Sequence, residues 1–274
     1  MLTRILTALV GIPVAAFVVT KGGLLFLAAV IFLTLVGWKE LADMGATKKA
    51  HLFKASSGLA SVLLVLSLGL GFEQLALPII ALGSIAILIE GLYNHCQRGE
   101  VQWEQHTSLS ALAFLYVGVL FAHLPLLRNL PGAAVLTGSL TFQHGEFLFW
   151  VILLGTWASD TFAYFAGRAL GKHKFCSVSP KKTWEGVIAG FIGCVLVIYL
   201  LGSSYLNLTA LQALAVGIAV GIAAPIGDLV ESILKRSFEI KDSGKLFPGH
   251  GGVLDRFDSL LFAVPVAYYL ILIH

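Results

Sequence analysis

The chain has 274 residues, of which 58% are hydrophobic and only 12% are charged, and its net charge is +3. Soluble domains carry about 25% charged residues, because they must cover their surface with groups that interact with water. The composition therefore excludes an ordinary soluble domain and predicts an all-α, polytopic integral membrane protein. We expect the lipid bilayer to surround it and no nucleic acid to be a partner.

Apolar runs predict about nine transmembrane helices, with a range of roughly eight to ten. The range reflects the first two runs, which are short and separated only by Lys21, Gly22 and Gly23. The stretch 129–146 is rich in Gly, Thr and Ser and is predicted to be a loop. In chain order, the predicted helices cover residues 5–20, 24–38, 55–71, 75–93, 108–127, 147–170, 183–201, 210–234 and 254–273.

The distribution of positive charge predicts the orientation of the chain. If the loops are assigned alternately to two sides, most of the 18 Lys and Arg residues fall on the side of the N-terminus. Lys21 and Arg128 lie in loops of the opposite side. Because positive residues in short loops mark the cytoplasmic face, we expect a cytoplasmic N-terminus. The expected location is the cell's inner membrane, crossed several times, with an active site that faces the cytoplasm.

The first candidate site residues lie at the end of the eighth predicted helix. Asp228, Ser232 and Lys235 are spaced i, i+4 and i+7, so they share one helical face. A carboxylate within a membrane span costs about 2.5–3.5 kcal/mol, and it is tolerated where it faces a cavity or binds a cation. The alternative for a single acid is a polar seam or ion pair between helices.

Two more carboxylates, Asp255 and Asp258, begin the last predicted helix at spacing i, i+3 and therefore share a face. Carboxylates this close repel each other unless a cation neutralises them. Oxygen ligands without a Cys or His cluster favour magnesium over zinc. Because magnesium in proteins is commonly shared with phosphates, the acids also predict a phosphate-bearing substrate.

Basic and glycine-rich residues surround these acids. Glycines on both sides of His250 allow backbone N–H groups to curl round an anion, and a helix N-terminus adds a positive end. Glycine-rich turns before helices are common and are usually only caps, so the combination with the acids carries the prediction. The residues concerned are Lys235, Arg236, Lys241, Lys245, His250, Gly251 and Gly252.

A second basic stretch precedes the seventh predicted helix, where Ser179, Lys181 and Lys182 come shortly before Glu185. It is a candidate anion-binding patch, although a basic loop that binds anionic lipid headgroups is an equally simple interpretation. Asp160 lies in the middle of the preceding span. It is predicted to be either a metal or polar ligand or a buried hydrogen-bond anchor.

The stretch SILKRSFEIKDSGKLFPGHGGVLDRFD, residues 232–258, closely resembles the signature of the phosphatidate cytidylyltransferases, also called CDP-diacylglycerol synthases. The upstream stretches SPKKTWEG and GDLVES also resemble that family, whereas the first half of the chain resembles it only in hydropathy. The matching signature residues are Ser232, Lys235, Arg236, Lys241, Asp242, Gly244, Pro248, His250, Gly251, Gly252, Asp255, Arg256 and Asp258.

The resemblance implies a nucleotidyltransferase that converts CTP and phosphatidate into CDP-diacylglycerol and pyrophosphate for phospholipid biosynthesis. The nucleophile would be the lipid's own phosphate oxygen, so that charge neutralisation and in-line positioning matter more than a strong base. The resemblance also implies Mg²⁺, a second cation and a homodimer.

The resemblance assigns roles to the candidate residues. Asp228 and Asp255 would bind the metal, with Asp160 assisting and Asp258 as a further candidate, and residues 147–274 would carry the catalytic site. Residues 1–128 would form a scaffold with dimer contacts. The catalytic set is Asp228, Lys235, Arg236, Lys241, Asp255 and Arg256, and the substrate-binding set is Ser179, Lys181, Lys182, Glu185, Ser232, His250, Gly251, Gly252 and Asp258.

Two other functions fit parts of the pattern. A cation-coupled transporter would also place acids in its spans, but it predicts charges near the midplane and related halves with broken helices. A CTP-dependent lipid-alcohol kinase would share the nucleotide and metal chemistry but transfer the γ-phosphate. It would release CDP instead of pyrophosphate.

Overall fold

A computed structural model describes residues 2–99 and 101–273 of the chain, and this part is almost entirely helical. Two π-helical turns, Lys54–Gly58 and Phe114–Val119, and a 3₁₀ turn, Glu73–Leu75, each run directly into the helix that follows. The α-helices are α1 (Leu2–Lys21), α2 (Gly23–Thr47), α3 (Leu59–Gly69), α4 (Ala76–Arg98), α5 (Trp103–Ala113), α6 (Leu120–Arg128), α7 (His144–Leu170), α8 (Trp184–Tyr205), α9 (Ala210–Ser237) and α10 (Leu254–Ile273).

Seven helical segments of this part are long and apolar enough to cross a bilayer, which agrees with a multi-pass membrane protein. Two further apolar helices, Leu9–Lys21 and Lys54–Gly69, are shorter. The number of spans and the side of the N-terminus stay predictions. The seven candidate segments are Gly23–Thr47, Glu73–Gln97, Trp103–Arg128, His144–Leu170, Trp184–Tyr205, Ala210–Ser237 and Leu254–Ile273.

The largest difference from the predicted boundaries is at the end of α2, which extends to Thr47 instead of residue 38. The apolar run ends at Trp38 because Lys39 and Glu40 follow. The helix continues because Glu40 lies on its buried face, in register with Gly37, Leu41 and Met44. A search for apolar residues alone therefore ended the helix about two turns early.

The predicted loop 129–146 contains a short antiparallel hairpin, β1 (Val135–Thr137) paired with β2 (Leu140–Phe142), before α7 begins at His144. The capping box between Gln143 and Glu146 begins α7. Arg128 is buried here: it donates to Gln143 Oε1 at 2.8 Å and pairs with Glu146 Oε2 at 3.7 Å. The start of α7 is thus tied to the end of α6 by a buried charged side chain that the sequence assigned to a loop.

The chain divides into two compact units. The first unit runs to Leu126 and also contains Ser237–Asp255, and the second comprises Leu127–Arg236 and the chain from Arg256 onward. The segment 237–255 therefore belongs to the same unit as α1 to α5.

In the first unit, small residues let α2 approach its neighbours. A Cβ added at Gly37 would lie 3.1 Å from Leu254 Cδ2 and 3.6 Å from Val117. One residue further on, Trp38 Nε1 donates to Ser57 Oγ at 3.0 Å, in the π-helical turn that precedes α3. These contacts fix the part of α2 that carries Glu40.

In the second unit, α7 and α8 pack closely because glycines recur on α8. A Cβ added at Gly190 would lie 2.6 Å from the Ser159 carbonyl oxygen, and one at Gly186 would lie 2.8 Å from the Ala163 carbonyl oxygen. Small residues four apart are the usual means of close helix approach in membranes. This packing holds the part of α7 that carries Asp160.

We expect Gly190→Ala to destabilise the protein by about 1–3 kcal/mol, because the added methyl group overlaps the α7 backbone. Gly11→Ala is the matched control, since nothing lies within 4 Å of a Cβ added there. Alanine is the better helix former, so the control should be neutral or slightly stabilising. Thermal unfolding in detergent measures both variants, and an unchanged midpoint for Gly190→Ala would contradict the close approach of α7 and α8.

Candidate active site

Three carboxylates from three helices form a cluster in the second unit, which we call the acid cluster: Asp160 of α7, Asp228 of α9 and Asp258 of α10. Asp228 is close enough to interact electrostatically with both Asp160 and Asp258. The backbones of α9 and α10 can meet here because a Cβ at Gly227 would overlap the Asp258 carbonyl group. The structure thus brings together three acids that are far apart in the sequence.

Lys182 places a positive charge directly beside this cluster. Its Nζ lies 2.7 Å from Asp228 Oδ2, and both side chains are about three-quarters buried, with 24% and 29% of their surface exposed. Ser232 Oγ donates to Asp228 Oδ1 at 3.3 Å. Arg256 interacts electrostatically with Asp160, and Lys235 with Asp258.

Lys182 reaches the cluster from a loop, residues 171–183, that has a defined shape. Phe175 N donates to the Lys182 carbonyl oxygen at 2.9 Å, and Trp184 N donates to the His173 carbonyl oxygen at 2.9 Å. Thr183 caps α8 by accepting from Gly186 N at 3.2 Å. These bonds hold the two ends of the loop side by side, and they fix Lys182 next to the start of α8.

Glu185 also holds this loop. Its Oε1 lies 2.7 Å from His173 Nδ1, and it accepts from the His173 backbone N–H. In the structure, Glu185 stabilises the shape of the loop. Its role in closing over a nucleotide stays a prediction. Ser179 accepts from Lys182 N at 3.0 Å through its carbonyl oxygen, and Lys181 is exposed on the same loop.

The positive charge of Lys235 is balanced one helical turn away, because its ammonium group pairs with Glu231. Glu231 is 1% exposed and follows Val220, Ala224 and Gly227 on the buried face of α9. The sequence placed Lys235 with Asp228 and assigned no role to Glu231. Arg236 follows Lys235 and is exposed.

The glycine-rich part of the signature lies in the first unit and forms a tight turn before α10. His250 N donates to the Phe247 carbonyl oxygen at 2.8 Å, and Phe247 N donates to the Gly251 carbonyl oxygen at 2.9 Å. Gly249 and Gly251 have φ values of 77° and 86°, which few other residues adopt without strain. His250 Nδ1 is buried, with no hydrogen-bond partner among the described residues.

The backbone N–H groups at the start of α10 are occupied by two carboxylates of the chain itself. Asp255 Oδ2 accepts from Gly252 N at 2.8 Å and from Ser243 N at 2.8 Å. Glu40 of α2 accepts from Val253 N at 2.7 Å and from Leu254 N at 3.0 Å. These donors were expected to hold a phosphate, but the anions that they meet in the structure are Glu40 and Asp255.

The signature glycines follow from these contacts. A Cβ at Gly244 or Gly252 would overlap the Glu40 carboxylate, and one at Gly251 would overlap the Asp255 carboxylate. The glycines therefore let the segment wrap closely around two acids. The beginning of this segment is attached to α2 as well, because Thr47 Oγ1 donates to the Phe238 carbonyl oxygen at 3.2 Å and Lys48 pairs with Glu239. The Lys48 hydrogen bond lowers the pKa of the Glu239 carboxyl group from its usual value.

A polar cavity of about 620 Å³ lies in the first unit between α2 and the beginning of the signature segment. This volume lies within the range of about 300–1,000 Å³ that is typical of small-molecule sites. Lys241, a predicted phosphate contact, lines it. The other lining residues are Val36, Lys39, Glu40, Asp43, Met44, Thr47, Ile240, Asp242, Ser243, Gly244, Lys245 and Leu246.

The oxygen donors of the acid cluster have the chemistry that Mg²⁺ prefers. Among the residues that the structure describes, no three His, Cys, Asp or Glu side chains form a ready-made metal site. Mg²⁺ is usually held by one or two carboxylates together with waters and substrate phosphates. Asp228 with Asp160 and Asp258 fits that second kind of site, in which the substrate completes the ligand set.

The predicted site residues fall into two groups. Asp160, Lys182, Asp228, Ser232, Lys235, Arg256 and Asp258 interact with one another within the second unit, which also contains Ser179, Lys181, Glu185 and Arg236. Lys241, His250, Gly251, Gly252 and Asp255 belong to the first.

The sequence interpretation missed Glu40 and Glu231, the two carboxylates that bind or balance predicted site residues. Their position was a usable signal, because each falls on the buried, apolar face of its helix. A lone acid at such a position requires a partner that compensates for its burial.

Comparisons with known proteins cover both halves of the chain. A family model described as the cytidylyltransferase family matches residues 2–274. The phosphatidate cytidylyltransferase of Staphylococcus saprophyticus is 32% identical over 275 residues, covering 99% of each chain. That of Bacillus subtilis is 32% identical over 275 residues, covering 98% of this chain and 96% of the relative.

A plant relative, phosphatidate cytidylyltransferase 5, chloroplastic, of Arabidopsis thaliana, is 31% identical over 283 residues, covering 94% of this chain and 68% of the relative. These matches confirm the resemblance that residues 232–258 predicted and extend it to the first half. The chain belongs to the cytidylyltransferase family.

Proposed function

We propose that this chain transfers the cytidylyl group of CTP to phosphatidate, producing CDP-diacylglycerol and pyrophosphate. The observation that carries the proposal is the acid cluster, paired with Lys182, in three long apolar helices of a chain that the cytidylyltransferase family model matches over residues 2–274. The relatives described above bear the name of this activity. None of these relatives is named as a kinase or a transporter, so the two alternatives have no support from them.

The reaction requires little acid–base chemistry from the protein. A phosphate oxygen of phosphatidate attacks the α-phosphorus of CTP, a P–O bond forms, and the bond to the β-phosphate breaks. The electron pair leaves with pyrophosphate. Because the attacking oxygen is already ionised, the chain must chiefly align the two substrates and offset their negative charges.

The cationic side chains of the second unit would perform this task. Lys182 is held on a shaped loop beside Asp228, from which its ammonium group can contact the triphosphate. Arg256 is exposed in the first turn of α10, next to the acid cluster. Lys235 and Arg236 lie in the last turn of α9. We assign phosphate contacts to these four residues and substrate contacts to Ser179, Lys181 and Ser232.

The first unit holds predicted phosphate contacts of its own. Lys241 lines the polar cavity, where its ammonium group can bind a phosphate. The His250 Nδ1 atom is buried and without a hydrogen-bond partner among the described residues. When it carries the ring proton, it would donate to a phosphate oxygen.

Asp228 would bind Mg²⁺, and Asp160 and Asp258 of the acid cluster are the further candidate ligands. When bound, it supplies neutralisation of the phosphate charges. Asp255 stays a predicted ligand, but its Oδ2 already accepts hydrogen bonds from Ser243 and Gly252. We therefore rank Asp258 above Asp255 as the partner of Asp228. A second cation stays a proposal of the family resemblance.

A membrane environment is supported by the seven helical segments of the described residues that are long and apolar enough to cross a bilayer. We further propose that the basic loops face the cytoplasm, from which CTP arrives, and that the protein lies in the inner membrane of the cell. Phosphatidate would enter from the bilayer, where its acyl chains remain. A homodimer is proposed from the resemblance alone.

Labelled CTP tests the reaction directly. Purified protein with phosphatidate should place the label of [α-³²P]CTP in an organic-soluble lipid and release pyrophosphate. EDTA should abolish the transfer, and added Mg²⁺ should restore it. Release of CDP with a γ-phosphate on the lipid would instead indicate the kinase, and EDTA-resistant turnover would contradict the metal assignment.

We expect Asp228→Asn to abolish turnover while the protein still inserts and remains folded, because the amide keeps the shape of the side chain but loses its charge. Glu104→Gln, at an exposed acid in the first turn of α5, is the control for loss of one negative charge. Turnover of Asp228→Asn within a factor of about two of the control, as for an ordinary surface substitution, would remove Asp228 from the mechanism.

Lys182→Ala should lower kcat/KM for CTP by about 10- to 100-fold, as expected for a charged hydrogen bond to the substrate. Lys174→Ala is its matched control, because Lys174 lies on the same loop with an exposed side chain. Steady-state kinetics at several CTP concentrations compare the two. Equal losses would show that the loop acts only through its overall charge.

A further inference from the structure

We propose that Glu40 of α2 is a positioning residue for this reaction: its carboxylate fixes the backbone of residues 243–254 and, through Ser243, the side chain of Asp255. The expected effect of Glu40 on turnover rests on the proposed function. Its expected effect on the backbone of residues 243–254 concerns only the first unit and can be measured without turnover. It gives the N-terminal helices a part in the site, where the sequence predicted a scaffold.

Three donors of the signature segment converge on Glu40. Val253 N donates to Oε1 at 2.7 Å, and Leu254 N donates to Oε2 at 3.0 Å. The Ser243 hydroxyl group lies 2.9 Å from Oε2. Glu40 is only 5% exposed, so these bonds form away from bulk water, where an unsatisfied carboxylate is costly.

The Ser243 hydroxyl group connects Glu40 to the predicted metal ligand. Its Oγ lies 2.9 Å from Asp255 Oδ2 as well as 2.9 Å from Glu40 Oε2. Since a hydroxyl group has one proton, it donates to one carboxylate at a time. Asp255 N approaches the same Oγ at 3.3 Å as a donor. A change at Glu40 is therefore transmitted to Asp255 through one shared side chain.

The shape of the segment depends on the presence of this carboxylate. Gly244 and Gly252 leave the space that the Glu40 side chain fills, since a Cβ at either position would overlap it. The same turn carries His250 and is followed by the first turn of α10. Glu40 directs its oxygens to the donors of the segment, so it would act through Asp255 and His250 and not as a catalytic residue.

Glu40→Gln is the first test. An amide keeps the size of the side chain but replaces one acceptor oxygen by an NH₂ group, which opposes the N–H of Val253 or Leu254. We expect kcat to fall by about 10- to 100-fold, and KM for CTP to change by less than about threefold, because the lost interaction aligns groups for the transition state. Hydrogen exchange of residues 243–254 should accelerate by a similar factor.

Glu90→Gln is the matched control. Glu90 is a carboxylate of the same unit whose Oε2 also accepts a backbone hydrogen bond, from Ser56 N at 2.9 Å, but it does not contact the signature segment. The control should retain wild-type kcat and wild-type exchange at residues 243–254. Equal losses in the two variants would mean a general effect on folding and would overturn the proposal.

Ser243→Ala provides a second, smaller change, so the test does not depend on Glu40→Gln being folded. It should lower kcat less than Glu40→Gln does, and the double variant should lose clearly less than the product of the two single effects, because both remove the same link. Independent, multiplicative effects would contradict the shared link. If the wild-type protein lacks cytidylyl transfer, the proposed function fails, and hydrogen exchange alone decides whether Glu40 fixes the segment.

Discussion

The structure depends on how negative charge is balanced within membrane-spanning helices. Asp160, Asp228 and Asp258 lie close enough to interact, although each is carried by a segment long and apolar enough to cross a bilayer. Such groups repel one another, and a nearby cation stabilises their ionised forms. The Lys182 ammonium group compensates Asp228 directly. A divalent cation shared with phosphates would compensate the cluster more completely, which links the architecture to phosphate chemistry.

Acids also organise the first unit, but there they are satisfied by backbone donors instead of cations. Glu40 and Asp255 accept from the N–H groups of residues 252–254, the part of a helix that attracts negative charge. The glycines of the signature allow this close wrapping. The sequence motif predicted to bind an external anion therefore binds two carboxylates of the chain itself. Lys241 lines the polar cavity in the same unit.

Much of the helical layout followed from apolar runs, because a spanning helix must be long and continuously apolar. The same criterion ended α2 too early, since Lys39 and Glu40 interrupt the run although the buried face continues to Met44 and Gly45. The acids of the site were predicted from their chemistry and from the family signature. Their partners were not: the pairing of Lys182 with Asp228 and of Lys235 with Glu231 depends on side-chain directions that spacing alone does not determine.

The most direct measurement is the position of the metal in a nucleotide complex. Crystals grown with CTP and Mn²⁺ in place of Mg²⁺ reveal the ion by its anomalous scattering. We expect an ion bound by the carboxylates of Asp228 and Asp258 together with phosphate oxygens, with Lys182 in contact with the triphosphate. A nucleotide bound elsewhere, with no ion at the acid cluster and Lys182 still paired to Asp228, would contradict this expectation.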